Sequence, residues 1–409
     1  MANFGPATFR SFKNPVFRTF FLSMLGQMAG MNMQMLARSL LIYRLTGSAT
    51  ILGIMSLANA LPMFFASLFG GVIADRLQKK SVVLGGQIGS SLVSLGIALS
   101  LTFGYLDADK PGSWWILVVA SLFQGTIMGL MMPSRQAIIR EIVPQNDLMN
   151  AVGLNSLGMN SLRLIAPAVA GFLIEYYGFP AVYYTMTAMY FMASIFILPL
   201  PNTSTIKLQK EDAITALRNG FKYVRQEPTI MLVLIITLFT VLCSMPYMML
   251  LPIFTEDVLK VGASGIGILM SVSGIGAMIG SLTIASLPDR KRGLLFVGTS
   301  LILGIALAGF SFSVFWYLSL ILIFFVGIGQ SGRQAVGNTL LQYYSAPEYR
   351  GRVMSFMMME FGLTSFAVFF AAVVADIVGV QWSVGGLALL LVFLAIGVII
   401  FSPRIRNLN

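Results

Sequence analysis

Glu360 is the residue whose place in the sequence offers the clearest chemistry. It lies in the apolar stretch RVMSFMMMEFGLTSF, ten residues after Arg350, which in a helix is about 15 Å. Arg333 lies ten residues before the end of the preceding apolar segment, so the two should share a depth. Because a buried unpaired charge is costly, we expect a Glu360–Arg333 pair. It is either a structural ion pair or a protonatable switch.

The chain contains no histidine and one cysteine, Cys243. These counts exclude imidazole proton relays, histidine metal sites, Ser–His–Asp triads and an internal disulfide. A carboxylate is therefore the plausible carrier of a coupling proton. We expect no metal, no cofactor and no enzymatic activity.

Arginines outnumber carboxylates within the apolar segments. Arg135 and Arg333 both stand in an Arg-Gln-Ala triplet, at corresponding places in the two halves. They could cap helix ends or clamp an anionic group. The remaining candidates for contact with a substrate or coupling ion are Arg38, Arg163, Gln34 and Asn160. If the arginines face a cavity, that cavity disfavours cations.

The composition indicates which elements must position these groups. Of the 409 residues, 57% are hydrophobic and 10% are charged, against about 25% charged in soluble domains. The net charge is +11, yet no basic stretch is interleaved with aromatic residues as in a nucleic-acid interface. The solvent for most of this chain must be a lipid bilayer.

A membrane-crossing helix needs about 20 mostly apolar residues. By that measure the sequence predicts an all-α integral membrane protein with twelve transmembrane helices. The predicted spans are 16–43, 49–74, 81–105, 113–140, 147–177, 180–200, 228–254, 262–287, 293–312, 314–343, 350–378 and 381–401.

The two halves of the chain look like repeats. Glu175-Tyr-Tyr-Gly178 closes the fifth span and Asp376-Ile-Val-Gly379 closes the eleventh. We therefore predict two pseudo-symmetric six-helix bundles, 1–200 and 228–409, joined by a cytoplasmic linker at 201–227. The linker should form an amphipathic helix along the membrane surface, with Ile214, Leu217, Phe221 and Val224 on one face.

Lysine and arginine concentrate in the loops on one side of the predicted spans. The opposite loops hold only Arg44, Lys110 and Lys260. Because cytoplasmic loops carry the excess of positive charge, we expect both termini in the cytoplasm of a bacterial cell. The protein then lies in the plasma (inner) membrane.

A compact charged stretch, GGVIADRLQKK, separates the second and third spans. Lys79 and Lys80 suit a cytoplasmic turn. Asp75, near the C-terminal end of a helix, is disfavoured by the helix dipole and needs a positive partner.

This stretch resembles the signature of the major facilitator superfamily, G-x-L-A-D-R-x-G-R-K. A fainter copy lies at the matching place in the second half. The resemblance implies a cytoplasmic gate in which Asp75 faces the start of span eleven and Asp289 the start of span five, near Asn150. The gate residues are Gly71, Asp75, Arg76, Lys79, Lys80, Asp289, Arg290, Arg350 and Arg352.

Within the superfamily, the chain is similar to the twelve-span drug and siderophore exporters, such as macrolide-efflux and enterobactin-exporter proteins. The pieces that carry this similarity include NPVFRTFFLSMLGQ, LIYRLTGSATILG, GFKYVRQEP and PEYRGRVMSF. The resemblance implies export by alternating access. Together with the excess of arginine and the lack of histidine, it leads us to expect proton-coupled export of a neutral or anionic amphiphilic small molecule, drug-like or siderophore-like, by a monomer. Uptake or flipping of a lipid-like or organic-anion substrate is the alternative. A membrane sensor or scaffold is the rival from another class.

Overall fold

The computed structural model describes residues 9–76, 78–110, 112–202, 213–287, 291–406 and 408, and this part of the chain is helical. The first half contains α1 (Pro15–Thr46), α2 (Ala49–Arg76), α3 (Lys79–Thr102), α4 (Trp115–Ile142) and α5 (Leu148–Ile197). The second half contains α6 (Ala213–Gln226), α7 (Pro228–Ser244), α8 (Pro246–Ile253), α9 (Gly262–Ser286), α10 (Arg292–Phe312), α11 (Trp316–Tyr344), α12 (Arg350–Val378), α13 (Val380–Phe401) and α14 (Pro403–Arg406).

Local residues fix both ends of α1. The Asn14 side chain accepts hydrogen bonds from the backbone N–H groups of Val16 and Phe17, at 2.9 and 3.4 Å. Pro15, which lacks an N–H group, takes the first helical position. At the other end, Gly47 adopts a left-handed conformation with φ 63° and caps the helix.

Glycine also divides α5. The helix contains 50 residues, which at 1.5 Å per residue is about 75 Å, far more than the hydrocarbon core of a bilayer. Gly178 interrupts it with φ 79° and ψ 175°. Gly379, between α12 and α13, has nearly the same conformation, φ 88° and ψ 153°. Both of the predicted span boundaries are confirmed, at matching places in the two repeats.

The predicted seventh span, 228–254, is confirmed as one apolar helical segment, Pro228–Val258. It consists of α7, α8 and a π-helical turn that ends at Val258, with a break between α7 and α8. Pro246 explains the break, since it has no backbone N–H to donate into the preceding turn.

Ten helical segments in the described part of the chain are long and apolar enough to cross a membrane. Helix α1, with 32 residues, is also long enough to cross a bilayer, and Gly178 divides α5 into two segments. The protein is therefore an all-α membrane protein with the twelve spans that the hydropathy pattern predicts.

The chain forms two compact units. The first includes the described residues up to Gly47 and those from Leu57 to Leu208, together with Ile266–Ile268. The second includes Ser48–Ser56 and the remaining described residues from Gln209 onward. Each unit has its own apolar core, built around buried residues such as Phe17 in the first and Phe296 in the second.

Helix α6 forms where the sequence predicts a helix. It packs beside the start of α12: the rings of Tyr223 and Tyr349 stack with centroids 4.1 Å apart. The Tyr223 hydroxyl accepts a hydrogen bond from the backbone N–H of Ala346 at 2.9 Å. Val224 is buried, whereas Phe221 is 61% exposed. Contact of this face with the membrane surface stays a prediction.

Candidate functional site

Arg333 on α11 and Glu360 on α12 are both buried, with 4% and 7% of their surface exposed. The two charges act on each other electrostatically. However, no Arg333–Glu360 ion pair within 4.0 Å is present in the described structure. The direct pair expected from the sequence is therefore not formed. Sequence spacing gave their common depth, but contact also depends on how each helix is rotated about its axis.

Several polar atoms of Glu360 and Arg333 have no hydrogen-bond partner among the described residues. They are Glu360 Oε1 together with Arg333 Nε and Nη1. The nearby contacts are weakly polar: one turn before Arg333, the Gln330 amide approaches the Met245 sulfur at 3.7 Å. Because Glu360 Oε1 makes no hydrogen bond with the described residues, the carboxyl group can gain or lose a proton at this atom without breaking one.

The first unit holds a second buried polar cluster, around Arg38 and Gln34 on α1. Arg38 Nη1 donates to Ser121 Oγ at 3.5 Å, whereas Arg38 Nε has no partner in the described part of the chain. The Gln34 side-chain oxygen accepts a hydrogen bond from the Tyr190 hydroxyl at 3.2 Å. Tyr183 and Tyr190 are fully buried and interact electrostatically with Arg38.

Sequence reasoning missed Ser121, Tyr183 and Tyr190 as neighbours of the Arg38 cluster. Gln34 and Arg38 are four residues apart, so they share a face of α1. The two tyrosines are seven residues apart and share a face of α5. Both spacings were visible in the sequence, but nothing in it indicated that these two faces meet.

Arg135 on α4 is buried among sulfur atoms. Its Nη2 lies 3.7 Å from the Sδ atoms of both Met28 and Met159, and its Nη1 has no partner. The side chain is only 7% exposed. Polarizable sulfur is a weak acceptor, and no described carboxylate lies within 4.0 Å of this buried cation.

Arg163 and Asn160 are placed differently. Both side chains are exposed on α5, so neither belongs to the buried clusters of Arg38 and Arg135. Their predicted contact with a substrate or coupling ion stays a prediction.

The two lysines of the charged stretch, Lys79 and Lys80, bind to residues at the ends of other helices. Lys79 Nζ forms an ion pair with Glu141 Oε1 at the end of α4, and the side chains are 10% and 16% exposed. Lys80 Nζ donates to the Leu200 carbonyl at 2.7 Å. These lysines join the start of α3 to the end of α4 and to the residues that follow α5.

The described side chains of α2 end at Ser67, and its backbone is helical through Arg76, which includes Gly71 and Asp75. Asp289 and Arg290 lie outside the described residues.

The segment before α1, residues 10–14, makes polar contacts with the junction of α4 and α5. Arg10 Nε lies 2.8 Å from Asp147 Oδ1, and their side chains are 58% and 21% exposed. The Ser11 backbone N–H donates to Asn150 Oδ1 at 3.0 Å, and the Asn14 amide donates to the Ile142 carbonyl at 3.0 Å.

A family model described as "transmembrane secretion effector" matches residues 6–408 of this sequence. The chain belongs to this family of major facilitator superfamily transporters. The protein is therefore a multi-pass membrane transporter of a small molecule, and it is not an enzyme.

The relatives agree with this membership. The staphyloferrin A transporter of Staphylococcus aureus is 24% identical over 81% of this chain and 83% of its own length. The enterobactin exporter EntS of Shigella boydii is 24% identical over 83% of this chain and 80% of its own. A bacterial homologue of the lysosomal transporter Spinster has the same fold, with a TM-score of 0.72, 14% identity and 98% coverage of both chains.

The predicted gate residues Arg350 and Arg352 lie at the start of α12. Arg350 Nε donates to the Ser345 carbonyl at 3.3 Å, and the Arg352 guanidinium lies 5.2 Å from the centre of the Tyr349 ring. Both residues are therefore held at the turn that α6 also contacts. Their partnership with Asp75 stays a prediction.

We predict that the Lys79–Glu141 pair stabilises this transporter more than the Arg10–Asp147 pair does. Lys79→Met leaves Glu141 without its cation in a nearly buried position, which should cost about 3 kcal/mol. The double variant Lys79→Met/Glu141→Met should recover much of that loss. Arg10→Ala breaks a more exposed pair and should cost less than about 1 kcal/mol. Apparent melting temperatures in detergent measure all three. Equal small shifts for Lys79→Met and Arg10→Ala would contradict the assignment.

Proposed function

We propose that this transporter exports a neutral or anionic amphiphilic small molecule in exchange for protons. It acts as a monomer, by alternating access between its two six-helix bundles. The two relatives described above are named for staphyloferrin A and enterobactin. They support a cargo of the siderophore class, and the name of the second supports the outward direction.

The observation that carries the charge preference is the pair of buried arginines at matching places in the repeats. Arg135 and Arg333 each keep at least one N–H group without a partner. Neither has a carboxylate within 4.0 Å in the described structure. Because an unbalanced cation in a membrane interior is costly, an anionic or hydrogen-bond-accepting cargo is favoured over a cationic one.

Glu360 is the proposed proton carrier. It is buried, its Oε1 has no hydrogen-bond partner, and it feels the charge of Arg333. The chain has no histidine to take this role. Ionised Glu360 can accept a hydrogen bond from an O–H or N–H group of the cargo at Oε1, and protonation weakens that acceptor. Proton and cargo therefore bind alternately, as exchange requires.

Glu360→Gln should abolish transport driven by a pH gradient, because glutamine is neutral at every pH. Inside-out membrane vesicles with an acidic lumen should accumulate cargo with the native protein, and at least about tenfold less with this variant. Glu348→Gln makes the same change at an exposed position before α12 and should behave like the native protein. Gradient-driven accumulation by Glu360→Gln with an unchanged pH dependence rules out this role.

The proposed orientation places both termini in the cytoplasm of a bacterial cell, with the protein in the inner membrane. It is supported by the lysine and arginine distribution, in which the α3–α4 loop carries Lys110 and α6 carries Arg218, Lys222 and Arg225. Positive charge near span ends is retained on the cytoplasmic side.

Cysteine labelling should report this orientation. In a Cys243→Ser background, an exposed position in the α3–α4 loop (Asp109→Cys) should react in intact cells with a membrane-impermeant maleimide. An exposed position in α6 (Asn219→Cys) should react only after permeabilisation. The reverse pattern would show that the chain is inserted the other way round.

A further inference from the structure

Asp376, in the last turn of α12, makes a contact that the proposed function does not use. One carboxylate oxygen accepts hydrogen bonds from Ser48 Oγ at 2.9 Å and from the Thr50 backbone N–H at 2.8 Å. The other accepts from the Ala49 backbone N–H at 2.8 Å. A single carboxylate of α12 therefore caps the N-terminus of α2, far away in the sequence.

The position of Asp376 is unfavourable for its own helix. A carboxylate in the last turn of a helix meets the negative end of the helix dipole, whereas the N-terminus of another helix attracts it. Hydrogen bonds from backbone N–H groups to an ionised carboxylate are also stronger than neutral ones. The stabilisation of Asp376 therefore comes from α2, so the acid favours the association of these two helix ends.

A second contact supports this association one turn further along α2. A Cβ atom added at Gly53 would lie 2.9 Å from the Phe369 Cα atom and 3.0 Å from the Ala372 Cβ atom. The absence of a side chain at Gly53 lets α2 approach α12 this closely. Ala372 is fully buried.

The division of the chain also changes within α2. Ser48–Ser56, the part that Asp376 and Ala372 contact, belongs to the second compact unit, whereas α2 from Leu57 onward belongs to the first. Transport by alternating access requires some helix contacts to form and break in each cycle. A helix whose first two turns and remaining turns belong to different units is suited to such a contact.

We propose that Asp376 is a latch residue of the transport cycle: it holds the first turns of α2 on the end of α12 and releases them when this contact opens. The latch lies at the opposite end of α2 from the Asp75 stretch. It rests on the transporter fold, independently of cargo and coupling ion. Asp376 positions helices and does not bind the cargo.

Asp376→Asn should weaken the latch, because a neutral amide loses the charge that attracts the N-terminus of α2. The readout is the reaction of Ala372→Cys with a water-soluble maleimide in a Cys243→Ser background. We expect at least about tenfold faster labelling when Asp376→Asn is added. Ala371→Cys is the matched control, since Ala371 is buried on α12 and its carbonyl accepts from Ser383 Oγ on α13. Its labelling should not change.

Two further variants keep the result decisive. Asp376→Glu retains the charge and should restore part of the slow labelling, whereas Asp376→Ala should label at least as fast as Asp376→Asn. Unchanged labelling of Ala372→Cys in Asp376→Asn overturns the latch. Equal acceleration at Ala371 and Ala372 also overturns it, because that pattern indicates general loosening of α12. None of these outcomes depends on proton coupling or on cargo identity.

Discussion

Lipid offers no water to charged groups or helix ends, so the chain or its cargo must satisfy them. Several polar contacts at the ends of the helices meet this constraint. Lys79 is paired with Glu141, Lys80 is fastened to a carbonyl group, and Asp376 caps a helix. Arg135 and Arg333 are among the exceptions, because both retain N–H groups that have no partner among the described residues. In the proposed mechanism, the cargo supplies the negative charge or the hydrogen-bond acceptors that these two arginines lack.

Two acids at the C-terminal ends of helices relate α2 and α12. Asp376 ends α12 and caps the start of α2. Asp75 ends α2, and the family resemblance predicts that it faces the start of α12. Each acid is disfavoured by its own helix dipole and favoured by the N-terminus of the other helix. In the proposed cycle, an acid at a helix N-terminus holds the α2–α12 pair together at each end. The contact of Asp75 can then form as the contact of Asp376 breaks.

Much of the fold could be predicted from the sequence, because apolar length and glycine position act locally. The twelve spans, helix α6 and the breaks at Gly178 and Gly379 follow from such signals. Pro246 is also visible in the sequence. However, it stands within a long apolar run, so a prediction based on apolar length alone does not place a break there. The family membership followed from the Asp75 stretch and its neighbours.

The candidate site was harder to predict, because helix rotation and neighbour choice are not encoded in spacing along one helix. Glu360 and Arg333 are both buried at their expected places without direct contact. Tyr183 and Tyr190 meet Arg38 only because α5 packs on α1. Arg163 resembled the other intramembrane arginines in sequence, yet its side chain is exposed. The sequence indicated only that Asp376 corresponds to Glu175 in the repeat. Its contact with Ser48 could not be predicted, because the two residues are more than 300 positions apart.

The central claim is that unbalanced buried arginines and Glu360 together couple proton movement to a cargo that is not a cation. The most direct measurement records the internal pH of proteoliposomes that contain the purified transporter while cargo is added outside. Enterobactin and the lipophilic cation ethidium serve as the two probes. We expect a pH change with enterobactin, none with ethidium, and none in protein-free liposomes. A pH change with ethidium but not with enterobactin would contradict it.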